Sequence, residues 1–212
     1  IGRRPYLITM TKSISNINKD FYDEHAQWWS KNKVNSFWHE PQFHKFVKYF
    51  KKGDKIIDIG CANGIHIPLF LGVGRHLKYE GLDISAKMLA IASSRYPQLK
   101  FFRADILASR NLPKKKYSGF WAAAVLMHIP EGDWPRLLSD IERLIRPGGV
   151  GYLTLPRRRP NPESKKDRRF FSYWTPDKIK SFLEQQDWKI LSYGNMPKRN
   201  ADWFWMLVRL PK

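Results

Sequence analysis

The sequence has very little cysteine, and it contains no long hydrophobic run. Cys61 is the only cysteine in the 212 residues, which excludes an internal disulfide framework and a zinc site built on cysteines. No apolar stretch approaches the ~18 residues of a membrane span, and no segment near the start resembles a signal peptide. A low cysteine content fits a reducing compartment, so we predict a cytoplasmic location without a membrane span.

Negative charge is scarce relative to positive charge. Lysine and arginine number 38 against 19 aspartate and glutamate residues, which gives a net charge of +19. Such a surface attracts polyanions, including nucleic acid, acidic lipid and phosphorylated or carboxylated substrates. A uniformly basic surface without a specific partner is an equally good interpretation. Nucleic acid therefore stays open as a partner, and composition predicts no oligomeric state.

The length of 212 residues suits one α/β domain and is short for two. We interpret residues 1–11 as a disordered leader or tag. Residues 12–212 are predicted to form a single domain, in which a helical cap (12–52) precedes a core (53–212). Within the cap, one helix is expected to be capped by Asn18 or Asp20, and another follows Pro41.

Strand and helix patterns alternate from residue 55 onward. Buried strands are predicted over residues 55–59, 79–82, 100–104, 120–127 and 150–155, with helices over 65–73, 86–95 and 133–145. This alternation predicts a parallel sheet with right-handed crossovers. A helix capped by Thr175 then precedes two strands, 188–193 and 203–210, which are too close in sequence for a crossover and should pair antiparallel.

The first strand runs into a glycine loop at residues 60–64 (GCANG). Glycine leaves room for a ligand to lie against the backbone and allows positive φ. The helix that follows can turn its N-terminal N–H groups towards the same ligand. The loop is therefore predicted to be a cofactor cradle.

Three carboxylates, those of Asp58, Asp83 and Asp105, lie at the ends of predicted strands, where open α/β sheets bind ligands. The separation in sequence between Asp83 and the loop is the one at which a carboxylate can accept hydrogen bonds from ribose hydroxyls. A dinucleotide would require the pattern GxGxxG, which is missing. Asp58, two residues before Gly60, would repel pyrophosphate and suits a cofactor that carries positive charge.

Together these segments resemble a class I S-adenosylmethionine-dependent methyltransferase, close to the type 11 group that acts on small molecules. The resemblance lies in five motifs in order: residues 58–64 (DIGCANG), 81–85 (GLDIS), 104–106 (ADI), 125–130 (VLMHIP) and 143–149 (RLIRPGG). It implies a Rossmann-like, doubly wound, seven-stranded sheet, mostly parallel, with a C-terminal antiparallel hairpin and an N-terminal helical lid.

The resemblance also implies which residues bind S-adenosyl-L-methionine. The loop would hold the methionine part, Asp83 the ribose and Asp105 with Ile106 the adenine, while no metal is expected. The full set of expected cofactor-binding residues is Tyr22, Asp58, Gly60, Cys61, Ala62, Gly64, Asp83, Ile84, Met88, Ala104, Asp105, Ile106 and Leu126. Ala62 departs from the family pattern, because it replaces the second glycine.

The acceptor side is less well defined by the sequence. His128 follows the fourth strand and is the candidate general base, with an ordinary pKa near 6.5; the alternative is that it only lines the wall. His25, Arg157 and Tyr173 are candidate substrate-binding residues. The basic segment 157–169 could clamp a carboxylate or phosphate, hold a nucleic-acid backbone, or be a solvated loop.

The first functional hypothesis is methyl transfer from S-adenosylmethionine to a small acceptor by in-line displacement; the acceptor can be an anion but need not be one. The second is an RNA methyltransferase, for example a tRNA-modifying enzyme, that uses the basic surface. The third is a non-catalytic nucleotide-binding or regulatory module. The identity of the acceptor and the methylated atom are not predicted.

Overall fold

A seven-stranded sheet forms the centre of the computed structural model, which describes residues 13–32, 39–74, 76–108, 111–114, 116–158, 167–196 and 202–212. The strand order is β3-β2-β1-β4-β5-β7-β6. Strands β1 to β5 run parallel, whereas β7 pairs antiparallel with both β5 and β6. The strands are β1 (Lys55–Ile59), β2 (Lys78–Asp83), β3 (Lys100–Arg103), β4 (Tyr117–Ala122), β5 (Ile145–Pro156), β6 (Lys189–Asn195) and β7 (Trp203–Arg209).

In the described part of the chain, six α-helices pack around this sheet, and the predicted α/β fold class is confirmed. They are α1 (Ile14–Asn32), α2 (Glu40–Val47), α3 (Ile67–Leu71), α4 (Ala86–Arg95), α5 (Trp134–Leu144) and α6 (Pro176–Glu184). Every residue of β4 is buried, as expected for a central parallel strand that is covered on both faces. Ser85 caps α4 and Thr175 caps α6 through their side-chain oxygens, as predicted, whereas α3 is shorter than the predicted helix.

The end of β4 differs from the prediction of a strand over residues 120–127. The strand ends at Ala122, and Ala124 adopts a positive φ of 57°. The Ala124 N–H donates to Thr154 Oγ1 at 2.8 Å, so the chain leaves the sheet while a neighbouring side chain satisfies its backbone. A 3₁₀ helix, Leu126–His128, follows. His128 therefore lies in a turn beyond the carboxyl end of β4.

Helix α1 begins earlier than the predicted cap. It starts at Ile14, so the cap expected at Asn18 or Asp20 is wrong, and Asn18 lies buried inside the helix. The predicted leader, residues 1–11, lies outside the described residues, and the domain boundaries stay a prediction. None of the helices in the described part of the chain is long and apolar enough to cross a bilayer.

Candidate functional site

The glycine loop after β1 adopts left-handed backbone at three positions. Gly60, Ala62 and Gly64 have φ values of 71°, 49° and 81°. The Gly60 N–H donates to the Leu82 carbonyl at 2.7 Å, which fastens the loop to β2. A Cβ atom built on Gly60 would lie 2.4 Å from Val125 Cγ2, so only glycine fits there. Left-handed backbone is unfavourable for alanine, and Ala62 therefore carries local strain.

Asp58 is fully buried at the end of β1. Its Oδ2 atom accepts a hydrogen bond from the Tyr79 hydroxyl at 2.9 Å. Its Oδ1 atom has no hydrogen-bond partner among the described residues. Burial raises the pKa of the Asp58 carboxyl well above its ordinary value. A buried acceptor without a partner is rare in native proteins, so this atom points to a polar or positively charged ligand.

Asp83 links the glycine loop to the start of α4. Its Oδ2 atom accepts from the Ala62 N–H and its Oδ1 atom from the Ser85 N–H, each at 2.8 Å. Burial raises the pKa of this carboxyl, while these backbone hydrogen bonds act in the opposite direction. A carboxylate offers about four lone-pair sites. The Ile84 N–H also bonds to this carboxylate, so the half-buried Asp83 can accept about one further hydrogen bond from a ligand.

The predicted adenine contacts follow β3. Asp105 Oδ1 accepts from the Leu107 N–H at 2.9 Å, which shapes the turn after the strand. Four of the apolar residues predicted to bind the cofactor are buried: Ala104 and Ile106 beside Asp105 in the chain, Met88 of α4 and Leu126 of the 3₁₀ helix. Cys61 is buried and Ile84 half-buried.

His128 is buried and makes two hydrogen bonds through its ring. Nδ1 lies 2.7 Å from the Phe170 carbonyl oxygen, which can only accept, so Nδ1 carries the proton. Nε2 is therefore an acceptor, and the Tyr22 hydroxyl donates to it at 2.8 Å. Burial lowers the pKa of His128 to about 4. The imidazole is thus neutral at physiological pH, with its lone pair directed at Tyr22.

Helix α1 forms hydrogen bonds on both sides of the site. On the loop side, Asp23 Oδ1 accepts from the Ser85 hydroxyl at 2.5 Å and from the Lys87 N–H at 3.1 Å. On the His128 side, Asn18 Oδ1 accepts from the Phe170 N–H at 2.9 Å, and Asn18 Nδ2 donates to the His128 carbonyl at 3.4 Å. The helix therefore spans the carboxyl edge of the sheet.

Sequence reasoning missed Asn18 and Asp23, and also Asp167 and Arg169. Arg169 donates to the Tyr22 hydroxyl at 2.9 Å and is held by Asp167. No local pattern marks Asn18, Asp23 or Arg169 as residues of the site, because their partners there lie far away in the chain. Only the position of Asp167 and Arg169 in the segment after β5 hinted at the site.

The candidate substrate-binding residues make contacts of their own. His25 Nδ1 donates to the Phe21 carbonyl at 2.8 Å, and its ring stacks on Phe21 at 4.1 Å. Arg157 donates to Asn195 Oδ1 at 2.7 Å, and Tyr173 is 39% exposed. None of these contacts joins His128, so a role in substrate binding stays a prediction. The described residues contain no group of His, Cys, Asp and Glu suited to a metal ion.

Comparison with known proteins identifies a matching family and similar proteins. Residues 56–149 match the family described as "Methyltransferase domain". A demethylmenaquinone methyltransferase of Symbiobacterium thermophilum is 30% identical over 179 residues, which cover 79% of this chain and 66% of that protein. A tRNA (carboxymethyluridine(34)-5-O)-methyltransferase of Arabidopsis thaliana is 27% identical over 176 residues, which cover 80% of this chain and 39% of that protein.

A solved structure resembles the whole fold. The magnesium protoporphyrin IX methyltransferase from Synechocystis PCC 6803, with bound S-adenosylmethionine, matches with a TM-score of 0.72 and 16% identity, over 95% of this chain and 99% of that chain. This chain belongs to the class I S-adenosylmethionine-dependent methyltransferases. The methyltransferase spans at most 66% of the length of the two sequence relatives.

The residues of this methyltransferase fit the cofactor of its family. Asp58 offers a buried oxygen without a partner, and a cation nearby would favour its ionised form. Asp83 retains the capacity to accept a further hydrogen bond, which suits a ribose hydroxyl. The backbone of residues 60–64 is held open by positive φ at both glycines. The individual contacts with methionine, ribose and adenine stay predictions.

Proposed function

We propose that this methyltransferase transfers a methyl group from S-adenosylmethionine to a small molecule. The observation that carries this proposal is the double attachment of α1, which joins the loop side through Asp23 and the His128 side through Asn18. A helix held across the carboxyl edge of the sheet would cover the site, and a covered site suits a small acceptor better than an RNA duplex. Most of the similar proteins named above also act on small molecules by name.

The chemistry divides between the cofactor and the chain. When bound, S-adenosylmethionine supplies an activated methyl group, so the protein has mainly to position the acceptor in line. The loop at residues 60–64 and Asp58 would hold the methionine part. Asp83 would hold the ribose, and α1 would exclude water from above.

A proton acceptor is required only when the methylated atom arrives protonated. Nε2 of His128 is already occupied by the Tyr22 hydroxyl, so His128 cannot reach an acceptor directly in this arrangement. Tyr22 is therefore proposed to receive the proton and to pass its own proton to His128. His128, which was predicted to be the general base, would then accept its proton from Tyr22 and not from the acceptor.

The proposed acceptor need not be an anion. Arginines of the segment after β5 are paired with carboxylates: Arg158 with Asp202 at 2.7 Å and Arg168 with Glu24 at 2.5 Å. Their charge is thereby partly neutralised. The described part of this segment thus gives little support to a clamp for a carboxylate or phosphate, and a neutral acceptor fits better.

Calorimetric titration with S-adenosylmethionine and S-adenosylhomocysteine tests the proposal. Asp83→Ala should weaken binding by about 1.5–3 kcal/mol, because hydrogen bonds to a charged group contribute that much. Asp177→Ala is the matched control, because it removes a carboxylate that is 90% exposed on α6 and should leave affinity unchanged. Absence of heat with the wild-type protein would reject the enzyme and favour the non-catalytic module.

A second candidate, methylation of tRNA, is favoured by the similarity to the Arabidopsis protein and by the charge of +19. Fluorescence anisotropy with unmodified tRNA separates the two functions. Non-specific attraction gives weak binding that falls steeply as salt increases. Tight binding together with transfer of labelled methyl groups to the tRNA would replace the small-molecule proposal.

A further inference from the structure

Two charged side chains, Asp167 and Arg169, are buried beside the Tyr22 hydroxyl. Asp167 accepts two parallel hydrogen bonds from Arg169, from Nε to Oδ1 at 2.8 Å and from Nη2 to Oδ2 at 2.7 Å. The side chains are only 7% and 12% exposed, respectively. Burial of such a pair is weak evidence for stability, because desolvation offsets the attraction. The pair therefore calls for another explanation.

The remaining contacts of Arg169 fix its direction. Nη1 donates to the Tyr22 hydroxyl at 2.9 Å. The guanidinium lies 4.8 Å from the ring centre of Phe21 and 4.9 Å from that of Phe171. A planar guanidinium that is held by a carboxylate at one edge and by rings on its faces has little freedom. Its third nitrogen is consequently aimed at the phenol oxygen.

The hydrogen bonds at the phenol oxygen leave one position open. Tyr22 donates its proton to His128 Nε2 and accepts from Arg169. A hydroxyl oxygen has two lone pairs, so one remains for a ligand. The positive charge of Arg169 favours negative charge on this oxygen and opposes positive charge on His128. Asp167 acts in the reverse sense on both groups, and Asp83 does so on Tyr22.

We propose that Arg169 is a positioning residue for methyl transfer, which acts through Tyr22 and favours an acceptor that arrives with a hydroxyl or amine proton. This inference rests on the proposed function. The acceptor atom bonds to the methyl carbon, and the carbon–sulfur bond breaks with its electrons remaining on sulfur. The proton of the acceptor passes to the Tyr22 oxygen, and the proton of Tyr22 passes to His128 Nε2. The hydrogen bond from Arg169 positions the Tyr22 oxygen, which takes part in both proton transfers.

The test is an NMR titration of the His128 imidazole in the complete protein, compared among three variants. Arg169→Met removes the cation, so the midpoint should rise by about one pH unit or more. Arg169→Lys keeps the charge, so the midpoint should stay close to the wild-type value. Asp167→Asn removes the anion, so the midpoint should fall. Loosened packing alone would admit water and raise the midpoint in all three variants.

Three outcomes would overturn the inference: an unchanged midpoint in Arg169→Met, an equal rise in Arg169→Met and Arg169→Lys, or a rise in Asp167→Asn. Arg169→Gln replaces Arg169→Met if that variant does not fold. S-adenosylhomocysteine affinity is measured in parallel and should change less than threefold in Arg169→Met, because Arg169 lies on the acceptor side. Failure of the wild-type protein to bind this ligand would reject the proposed function and leave the NMR result to be judged separately.

Discussion

The proposed cofactor side and the proposed acceptor side of the site are built in different ways. The cofactor side consists of backbone groups and carboxylates from one short stretch of chain, in which Asp83 fastens the loop through the Ala62 N–H. On the acceptor side, Tyr22 and His128 stand 106 residues apart, and Tyr22 and Arg169 stand 147 apart. The first side is set by local conformation, and the second depends on the whole tertiary structure. Substitutions on one side of the site should therefore have effects distinct from substitutions on the other side.

The largest effect is expected from Gly60→Ala on the cofactor side. The new Cβ would require a left-handed alanine and would lie 2.4 Å from Val125 Cγ2, so the unfolding free energy should fall by roughly 2–5 kcal/mol. Gly53→Ala is the matched control. Gly53 has a similar φ of 87° and nothing within 4 Å of an added Cβ, so only roughly 1–2 kcal/mol should be lost. Equal losses in urea denaturation would contradict the close contact with Val125.

On the acceptor side, His128 should make stability dependent on pH. Its pKa is lowered from 6.5 to about 4, so between these values the unfolded chain binds a proton that the folded chain does not. The stabilisation is complete above about pH 6.5 and is lost as pH falls towards about 4, by up to about 3 kcal/mol. Urea denaturation of His128→Gln across this range supplies the comparison, because that variant lacks the titration. If the unfolding free energy depends on pH in the same way in both proteins, His128 is not a buried neutral imidazole.

A smaller effect is expected where α1 meets the acceptor side. Asn18→Ala leaves the Phe170 N–H without its partner, which should cost about 1–3 kcal/mol of unfolding free energy. Asn16→Ala, at an exposed position of the same helix, should change it by less than about 0.5 kcal/mol. Equal losses of unfolding free energy in the two variants would show that the hydrogen bond between Asn18 and Phe170 does not stabilise the fold.

The smallest effect should be a gain. Ala62 adopts a left-handed φ of 49°, which glycine tolerates without penalty. Ala62→Gly should therefore raise the unfolding free energy by ~1 kcal/mol and leave affinity for S-adenosylhomocysteine unchanged. A loss of stability, measured by thermal denaturation, would mean that the Ala62 methyl group packs more favourably than its backbone strain costs.

On the proposed cofactor side, the sequence predicted the strand ends and the helix cap because their signals are local, while the cofactor contacts stay predictions. The positions of Asp58 and Asp83 at strand ends, and the cap at Ser85, follow from hydrophobic periodicity and turn chemistry. The end of β4 could not be predicted in this way. The apolar run continues to Met127, but the Thr154 hydroxyl draws the Ala124 N–H out of the sheet, and this partner lies 30 residues away in the chain.

The same limit applies to the acceptor side. His128 was predicted from its position after a strand, yet the protonation of its ring follows from the Phe170 carbonyl, which no sequence pattern reveals. Asn18 was predicted as a helix cap because asparagine favours such positions. The structure uses its amide to join two segments of chain, and burial together with two distant partners outweighs the local preference.

The attachment of α1 at both Asp23 and Asn18 has a kinetic consequence. The same helix contacts the start of α4 and carries Tyr22, so an opening wide enough to exchange the donor would also separate the proposed proton-accepting pair. We therefore expect release of the spent donor and loss of reactivity to be a single gating event. Turnover would then be limited by how often the helix lifts rather than by the transfer step.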